Sequence, residues 1–164
     1  GKSLELAGAT CILICANTMH LTIDAVREVV NIPVIHIAEA TAEIIIEKKL
    51  KTVALLGTKY TMEKNFYIDV LRSFGIKTIV PNLEDRNKVH RIIYDELSKG
   101  VLNDASKHVY LKIIKKLIKE GAEGVILGCT EIPLLIKQTD VSVPVFDTTM
   151  IHATKSFMEA LKYK

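Results

Sequence analysis

The sequence lacks three features that would each point to a particular class of protein. No apolar run approaches the length of about 20 residues that crosses a bilayer, no stretch resembles a secretion signal, and no basic block accompanies the net charge of +3. We therefore expect no membrane partner and no nucleic acid as the main partner. This charge is compatible with binding an anionic small molecule.

Cysteine is also scarce, and its spacing argues against a cross-link. The 164 residues contain three cysteines, an odd number, so we expect reduced thiols and a cytoplasmic location. Cys11 and Cys15 lie on one predicted strand, which separates their Cα atoms by roughly 13 Å. A disulfide needs Cα atoms within roughly 7 Å, and shared zinc ligands must also lie close together. We expect no metal site, and we interpret Cys11 as a buried packing residue.

Short apolar runs alternate with longer amphipathic segments, which is typical of an α/β fold with parallel sheets. The near-continuous Val, Ile and Leu content of the short runs suits strands that helices cover on both faces. The pattern predicts strands at 11–15, 33–37, 52–56, 77–80, 124–128 and 144–146, and helices at 21–30, 38–49, 62–74, 88–99, 105–120, 132–137 and 149–162.

An internal repeat gives the chain two similar parts. "GATCILICANT" (8–18) resembles "GAEGVILGCTE" (121–131), and "IPVIHIAEAT" (32–41) resembles "VPVFDTTMIH" (143–152). Each copy contains a strand that ends in cysteine, a helix, a strand entered through proline, and a second helix. The repeat predicts two pseudo-symmetric lobes with the active site between them. Residues 1–49 and 148–164 form the first predicted lobe, and residues 50–147 form the second.

The two copies differ in what precedes them. Two further strands with their helices, within residues 52–120, come before the second copy. Only "GKSLELA" (1–7) precedes the first copy, and it has the character of a helix tail. We therefore expect the first lobe to lack its N-terminal portion in this polypeptide.

Cys15 and Cys129 end equivalent predicted strands, at the sheet edge where α/β proteins bind ligands. Unpaired N–H groups at a following helix start attract anions and are expected to lower a thiol pKa from about 8.5 toward neutrality. Two thiols on opposite sides of a ligand can remove a proton from one face of a carbon and return one to the other. This predicts inversion of a stereocentre without a cofactor. The alternative, two merely buried strand-end cysteines, fits their repeat-related placement less well.

The motifs resemble the two signatures of the cofactor-independent aspartate/glutamate racemase superfamily. "CANTMH" (15–20) and "GCTEI" (128–132), with "LLGTKYTM" (55–62) and "PVFDTT" (144–149), most resemble its aspartate and broad-specificity branch. The resemblance implies that Cys15 and Cys129 are the acid/base residues and that the enzyme is a homodimer without a cofactor. It implies a substrate pocket lined by Asn17, Thr18, Thr58 and Thr130.

Two residues bear on the substrate. Glu131 stands where glutamate racemases of this superfamily usually carry histidine, which makes glutamate a less favoured substrate. Lys99 lies in a region where a lysine resembles the aspartate-selective type of the superfamily. The same residue also suits a helix end before Gly100. We therefore expect an aspartate racemase. The alternatives are a lyase or another isomerase acting on a small carboxylate, and a non-catalytic binding module or inactive fragment.

Other polar residues have structural alternatives. Thr58 also suits a helix N-cap, and Glu131 can tune Cys129, position a substrate ammonium or cap a helix. His36 and Asp147 occupy matching places after the two proline-entered strands and are expected to be mainly structural. The remaining histidines show no metal spacing and are predicted at the surface or at helix caps: His20, His90, His108 and His152.

Overall fold

The computed structural model describes residues 1–163. Its strands are β1 Ile12–Leu13, β2 Val34–Ile35, β3 Thr52–Gly57, β4 Lys77–Ile79, β5 Gly124–Gly128 and β6 Val145–Asp147. Its α-helices are α1 Lys2–Leu6, α2 Ile23–Arg27, α3 Ile37–Glu47, α4 Lys59–Glu63, α5 Asn65–Ser73, α6 Leu83–Asp95, α7 Asp104–Lys119, α8 Ile132–Leu135 and α9 Thr148–Ala160. Short 3-10 turns occur at Thr18–Thr22, Leu97–Lys99, Gln138–Asp140 and Leu161–Tyr163.

The strands form two parallel sheets, which confirms the predicted α/β class. The smaller sheet pairs β1 with β2, and the larger sheet has the order β4-β3-β5-β6. In the larger sheet, Gly57 lies opposite Gly128 and Leu127 lies opposite Asp147. Because parallel strands point the same way, β3, β5 and β6 end at the same sheet edge, where Thr58, Cys129 and Thr148 follow.

Side chains of the two central strands, β3 and β5, alternate between two apolar layers. Ala54 and Leu56 pack with α6, α7 and α8 on one face, whereas Val53 and Leu55 pack with α3 and α5 on the other. From Val53 to Gly57 and throughout β5 every residue is buried. This is the two-sided burial that the continuous apolar runs predict.

Helix α3 connects the two sheets. It begins directly after β2, yet its apolar side packs on the larger sheet, where Ile45 shares a cluster with Phe146. Helix α9 packs along α3, and a separate small cluster of Ile12, Ile23 and Val34 lies beside β1 and β2. The predicted lobe boundaries are not tested by this packing and stay a prediction.

Several elements differ from the sequence prediction. Strand β1 ends at Leu13 rather than at residue 15, because its ladder with β2 contains only two residue pairs. Cys11, expected to be buried, is half-buried beside this short strand. The predicted helix at 62–74 begins at Lys59 and is interrupted at Lys64, whose backbone is extended. The helix predicted at 88–99 begins at Leu83, because the Asn82 side chain caps it by accepting from the Asp85 amide.

Within residues 1–163, no helix has both the length and the apolar character needed to cross a membrane.

Gly57→Ala tests the close approach of β3 and β5. A Cβ atom at Gly57 would lie 2.9 Å from the Gly128 carbonyl oxygen and 3.1 Å from Thr61. Because the nearest atom belongs to the backbone, we expect the free energy of unfolding to fall by about 1–3 kcal/mol in denaturant titrations. Without this contact, alanine would stabilise a strand by about 0.5–1 kcal/mol relative to glycine, so a more stable variant would contradict the packing described here.

Candidate active site

A small cleft brings together three of the residues predicted for the site. Its volume is about 100 Å³, and Cys15, Asn17 and Thr130 are among its lining residues. The rest of the lining comes from β1, from the residue that follows Cys15, from the start of α3 and from α9: Leu13, Ala16, Ile37, Thr149, His152 and Ala153. The cleft therefore joins the segment after β1 to the segment after β5.

Cys15 is exposed and lies two residues beyond the end of β1. It is therefore not the last residue of a strand, as the sequence predicted, but part of the turn that leads to Thr18–Thr22. The consequence is an accessible thiol at the cleft.

Cys129 follows β5 directly and differs from Cys15 in its surroundings. It is 9% exposed and borders the apolar cluster that includes Ile132. It is not among the residues that line the cleft, although Thr130, the next residue, is. Its Sγ donates a hydrogen bond to Glu131 Oε2 at 2.9 Å.

The pKa of Cys129 is opposite to the sequence expectation. Burial, together with the hydrogen bond to the Glu131 carboxylate, raises the pKa of this thiol to about 12. Burial also acts to raise the pKa of Glu131, but hydrogen bonds from Cys129 and Thr130 outweigh it and leave that pKa below its usual value. The pair therefore consists of a protonated thiol and an ionised carboxylate.

For Cys129, the expected lowering of the thiol pKa by a helix start is wrong, because burial dominates and the helix that follows is short. Helix α8 after Cys129 contains four residues, whereas residues Thr18–Thr22 after Cys15 form a 3-10 segment that continues into α2. Neither Asn17 nor Glu131 makes a side-chain cap hydrogen bond there. A helix field develops from aligned peptide units, so burial determines the protonation of Cys129.

Asn17 is buried and has one satisfied and one unsatisfied side-chain atom. Its Nδ2 donates to Thr148 Oγ1 at 3.2 Å, and Thr148 Oγ1 in turn donates to the Leu127 carbonyl at 2.9 Å. Its Oδ1 has no hydrogen-bond partner among residues 1–163. A buried acceptor without a donor costs about 1–3 kcal/mol, which a ligand N–H group at the cleft would recover.

Three threonine hydroxyls meet next to Asn17. Thr18 Oγ1 lies 3.4 Å from both Thr58 Oγ1 and Thr61 Oγ1, which are 3.2 Å apart. Thr58 also caps α4 by accepting from the Thr61 amide at 3.3 Å. Its capping role is therefore confirmed, and the same hydroxyl belongs to a polar group of the kind that can donate to a carboxylate.

Lys99 is not brought to the cleft. It is exposed in the turn Leu97–Lys99, directly before Gly100, whose φ of +74° closes that turn. Within the described residues its side chain makes no ion pair or hydrogen bond. The predicted contact with a substrate carboxylate stays a prediction.

A cluster of three buried histidines, His20, His36 and His152, supports the turn that carries Cys15. The ring centroid of His20 lies 4.8 Å from that of His36 and 5.5 Å from that of His152. His20 Nε2 accepts from the Ile37 amide, so His20 Nδ1 carries the proton and donates to the Ala16 carbonyl at 3.0 Å. This tautomer ties the turn to the start of α3.

The surface positions predicted for two histidines are wrong. His20 and His152 are buried, and His152 donates through Nε2 to the Ile35 carbonyl at 2.9 Å. Burial lowers the pKa of both. His108 is exposed and His90 half-buried.

His36 and Asp147 occupy equivalent helix caps. The His36 ring accepts from the Ala38 amide at the start of α3, and Asp147 Oδ1 accepts from the Thr149 amide at the start of α9. The predicted structural role is confirmed for both residues.

Thr61, Thr148 and His152 are site residues that the sequence reasoning missed. The spacing of Thr61 from the predicted cap Thr58 is the only local signal among them. Thr148 and His152 contact residues more than 100 positions away, so only the folded chain identifies them. The described residues contain no group of three or more His, Cys, Asp or Glu side chains that could hold a metal ion.

Comparison with known proteins identifies the family. A model of the Asp/Glu/Hydantoin racemase family matches residues 1–155. The chain belongs to this family. Its fold matches the crystal structure of an aspartate racemase homologue from Pyrococcus horikoshii, with 46% identity and a TM-score of 0.88 over 97% of this chain and 70% of that chain.

Curated relatives carry two different activities in their names. A glutamate racemase from Sulfurihydrogenibium is 29% identical over 76% of this chain and 46% of its own length. The broad-specificity amino-acid racemase RacX of Bacillus subtilis is 22% identical over 98% of this chain and 69% of its own length. The chain spans about half the length of the first curated relatives that it matches.

His36→Asn tests the buried histidine cluster. Burial lowers the pKa of His36 to about 4 from 6.5, so the unfolded chain binds a proton more tightly than the folded one. The contribution of neutral His36 to the free energy of unfolding is therefore complete above pH 6.5 and is lost as the pH falls toward 4. This loss amounts to about 3 kcal/mol at most. Asparagine can keep the helix cap without titrating. We therefore expect a smaller loss of unfolding free energy across this range, with exposed His108→Asn as the matched control.

Glu131→Gln tests the control of Cys129. Removing the carboxylate should lower the pKa of the thiol, because a carboxylate acceptor favours the protonated form. In a Cys11→Ser/Cys15→Ser background, we expect alkylation of Cys129 at neutral pH to become faster, roughly tenfold for each unit of pKa. Glu120→Gln, at an exposed position, is the control. Unchanged or slower alkylation would contradict the role of Glu131.

Proposed function

We propose that the protein is a cofactor-independent amino-acid racemase that acts on aspartate, with Cys15 and Cys129 as its two acid/base groups. The observation that carries this proposal is the meeting of Cys15, Asn17 and Thr130 at one cleft, with Cys129 next to Thr130. Membership of the racemase family supports the reaction class. The 46% identity to an aspartate racemase homologue supports aspartate.

The unequal thiols suggest how the proton moves. Cys15, as thiolate, takes the α-proton from one face, and the electron pair of the broken C–H bond spreads into the substrate carboxylate. Cys129 enters the step protonated, because burial and Glu131 raise its pKa, and gives its proton to the opposite face. In the reverse direction the thiolate that the forward step leaves at Cys129 takes the α-proton, and the thiol formed at Cys15 returns a proton to the opposite face. Glu131 stays ionised, 2.9 Å from the Cys129 sulfur, and holds that side chain in place.

The polar groups around the cleft suit the two ends of an amino acid. Asn17 Oδ1, which has no donor among residues 1–163, accepts a hydrogen bond from the substrate ammonium. The hydroxyls of Thr18, Thr58 and Thr61 can donate to a carboxylate. Lys99 is proposed to bind the side-chain carboxylate of the substrate. Because Lys99 lies outside the cleft, only its residue type supports this role.

A non-catalytic binding module is the second candidate. It is favoured by the burial of Cys129 and by its absence from the cleft lining, which suit a packing residue. A lyase acting on a related carboxylate would instead consume the substrate.

Deuterium wash-in on L- and D-aspartate separates these functions. In the intact protein we expect label at the α position from both enantiomers and interconversion between them. Cys15→Ser and Cys129→Ser should each lower racemisation by about 10²–10⁴-fold, because each removes a proton-transfer group. Cys11→Ser, a half-buried cysteine outside the cleft, is the matched control and should retain the parent rate.

Each remaining result identifies another function. Consumption of aspartate without racemisation indicates a lyase, and binding without label indicates a binding module. Parent-rate racemisation by Cys129→Ser would overturn the two-thiol mechanism.

A further inference from the structure

We infer that Thr148 is a positioning residue, which fixes the orientation of the Asn17 amide and thereby decides which atom of Asn17 a ligand meets. This inference rests on the proposed function, because the ligand is the proposed amino-acid substrate. Thr148 does not line the cleft, so its effect must pass through Asn17.

The orientation follows from the single proton of the Thr148 hydroxyl. Thr148 is fully buried at the first position of α9, and its hydroxyl donates to the Leu127 carbonyl at 2.9 Å. With its proton used there, Thr148 Oγ1 can only accept from Asn17. Asn17 must therefore turn its Nδ2 toward Thr148, as observed at 3.2 Å. A flipped amide would bring two acceptor oxygens together in a buried place.

The consequence is an acceptor reserved for a ligand. With Nδ2 held by Thr148, the free atom of Asn17 is Oδ1, which is buried and has no donor among residues 1–163. Asn17 lines the cleft beside Cys15. An acceptor in this place favours a ligand N–H group, such as an ammonium, and disfavours a carboxylate oxygen at the same position. A site built to form a hydrogen bond rejects an analogue that lacks the required donor.

The same hydrogen bonds connect the segments of the two cysteines. Leu127 lies on β5 two residues before Cys129, and Thr148 follows β6, whose Asp147 pairs with Leu127. Asn17 lies two residues after Cys15. The chain from Asn17 through Thr148 to Leu127 therefore holds the Cys15 turn against the strand that carries Cys129.

Thr148→Val and Thr148→Ser test this inference by ligand binding. We would measure the dissociation constants of L-aspartate and of succinate, which has the same two carboxylates without the amine. The parent protein should prefer L-aspartate. Thr148→Val, which frees the Asn17 amide to turn, should lower this preference by roughly tenfold, and Thr148→Ser should restore it. Thr154→Val, at an exposed position on the same helix, is the control and should keep the parent preference.

The variant Asn17→Ala tests whether the effect of Thr148 on ligand preference passes through Asn17. In that background Thr148→Val should leave the preference unchanged, and a change of the same size would overturn the inference. An unchanged preference in the single Thr148→Val variant would overturn it as well. If Thr148→Val is too unstable to purify, Thr148→Ala removes the same hydroxyl and is judged by the same ratio.

The binding readout distinguishes this inference from the proposed function. A lower preference in Thr148→Val without any wash-in of deuterium would support the role of Thr148 and reject the racemase. Racemisation with an unchanged preference would support the racemase and reject the role of Thr148.

Discussion

The parallel register of β3, β5 and β6 is the constraint on which the candidate site depends. Gly57 pairs with Gly128 and Leu127 with Asp147, so all three strands end at one edge. The residues that follow these ends supply a threonine hydroxyl, a thiol and the hydroxyl of Thr148. Their separation along the chain is large, but the ladder hydrogen bonds set their relative position to within one residue. Glycine occupies the last position of both β3 and β5, because a Cβ at Gly57 would meet the carbonyl oxygen of the facing Gly128.

Burial, rather than helix fields, determines the charge states around this edge. Helix α8, which follows Cys129, contains four residues, so it contributes few aligned peptide dipoles. Desolvation instead keeps Cys129 protonated and His20, His36 and His152 neutral. Neutral histidines can serve as both donor and acceptor, and His20 uses both ring nitrogens to join the Ala16 carbonyl to the Ile37 amide. A charged imidazole would lose the second of these bonds.

The sequence was sufficient for features that depend on local pattern. The apolar runs of β3 and β5 predict strands because runs of that length have few other solutions. The place of Thr58 after a strand predicts a helix cap, and the matching places of His36 and Asp147 predict structural roles, which the structure shows to be helix caps. It was insufficient wherever the partner is distant. His152 contacts Ile35 and Thr148 contacts Asn17 across more than 100 residues, and no spacing rule finds such pairs. The pKa of Cys129 differs from the expectation for the same reason, since the apolar cluster around it includes residues of the distant helices α6 and α7 as well as of α8.

The repeat explains why two cysteines from similar motifs have different chemistry. When the cysteines are aligned, Asn17 and Glu131 occupy the same place, two residues after each thiol. The amide of Asn17 is neutral and donates to Thr148, and Cys15 is exposed and has no carboxylate partner among residues 1–163. The carboxylate of Glu131 instead accepts a hydrogen bond from the Cys129 thiol. The exchange of amide for carboxylate in a repeated frame therefore adds to burial in raising the pKa of Cys129, whereas Cys15 stays accessible. The proposed transfer of a proton from one face of a carbon to the other requires such an inequivalence, because one thiol must start as base and the other as acid.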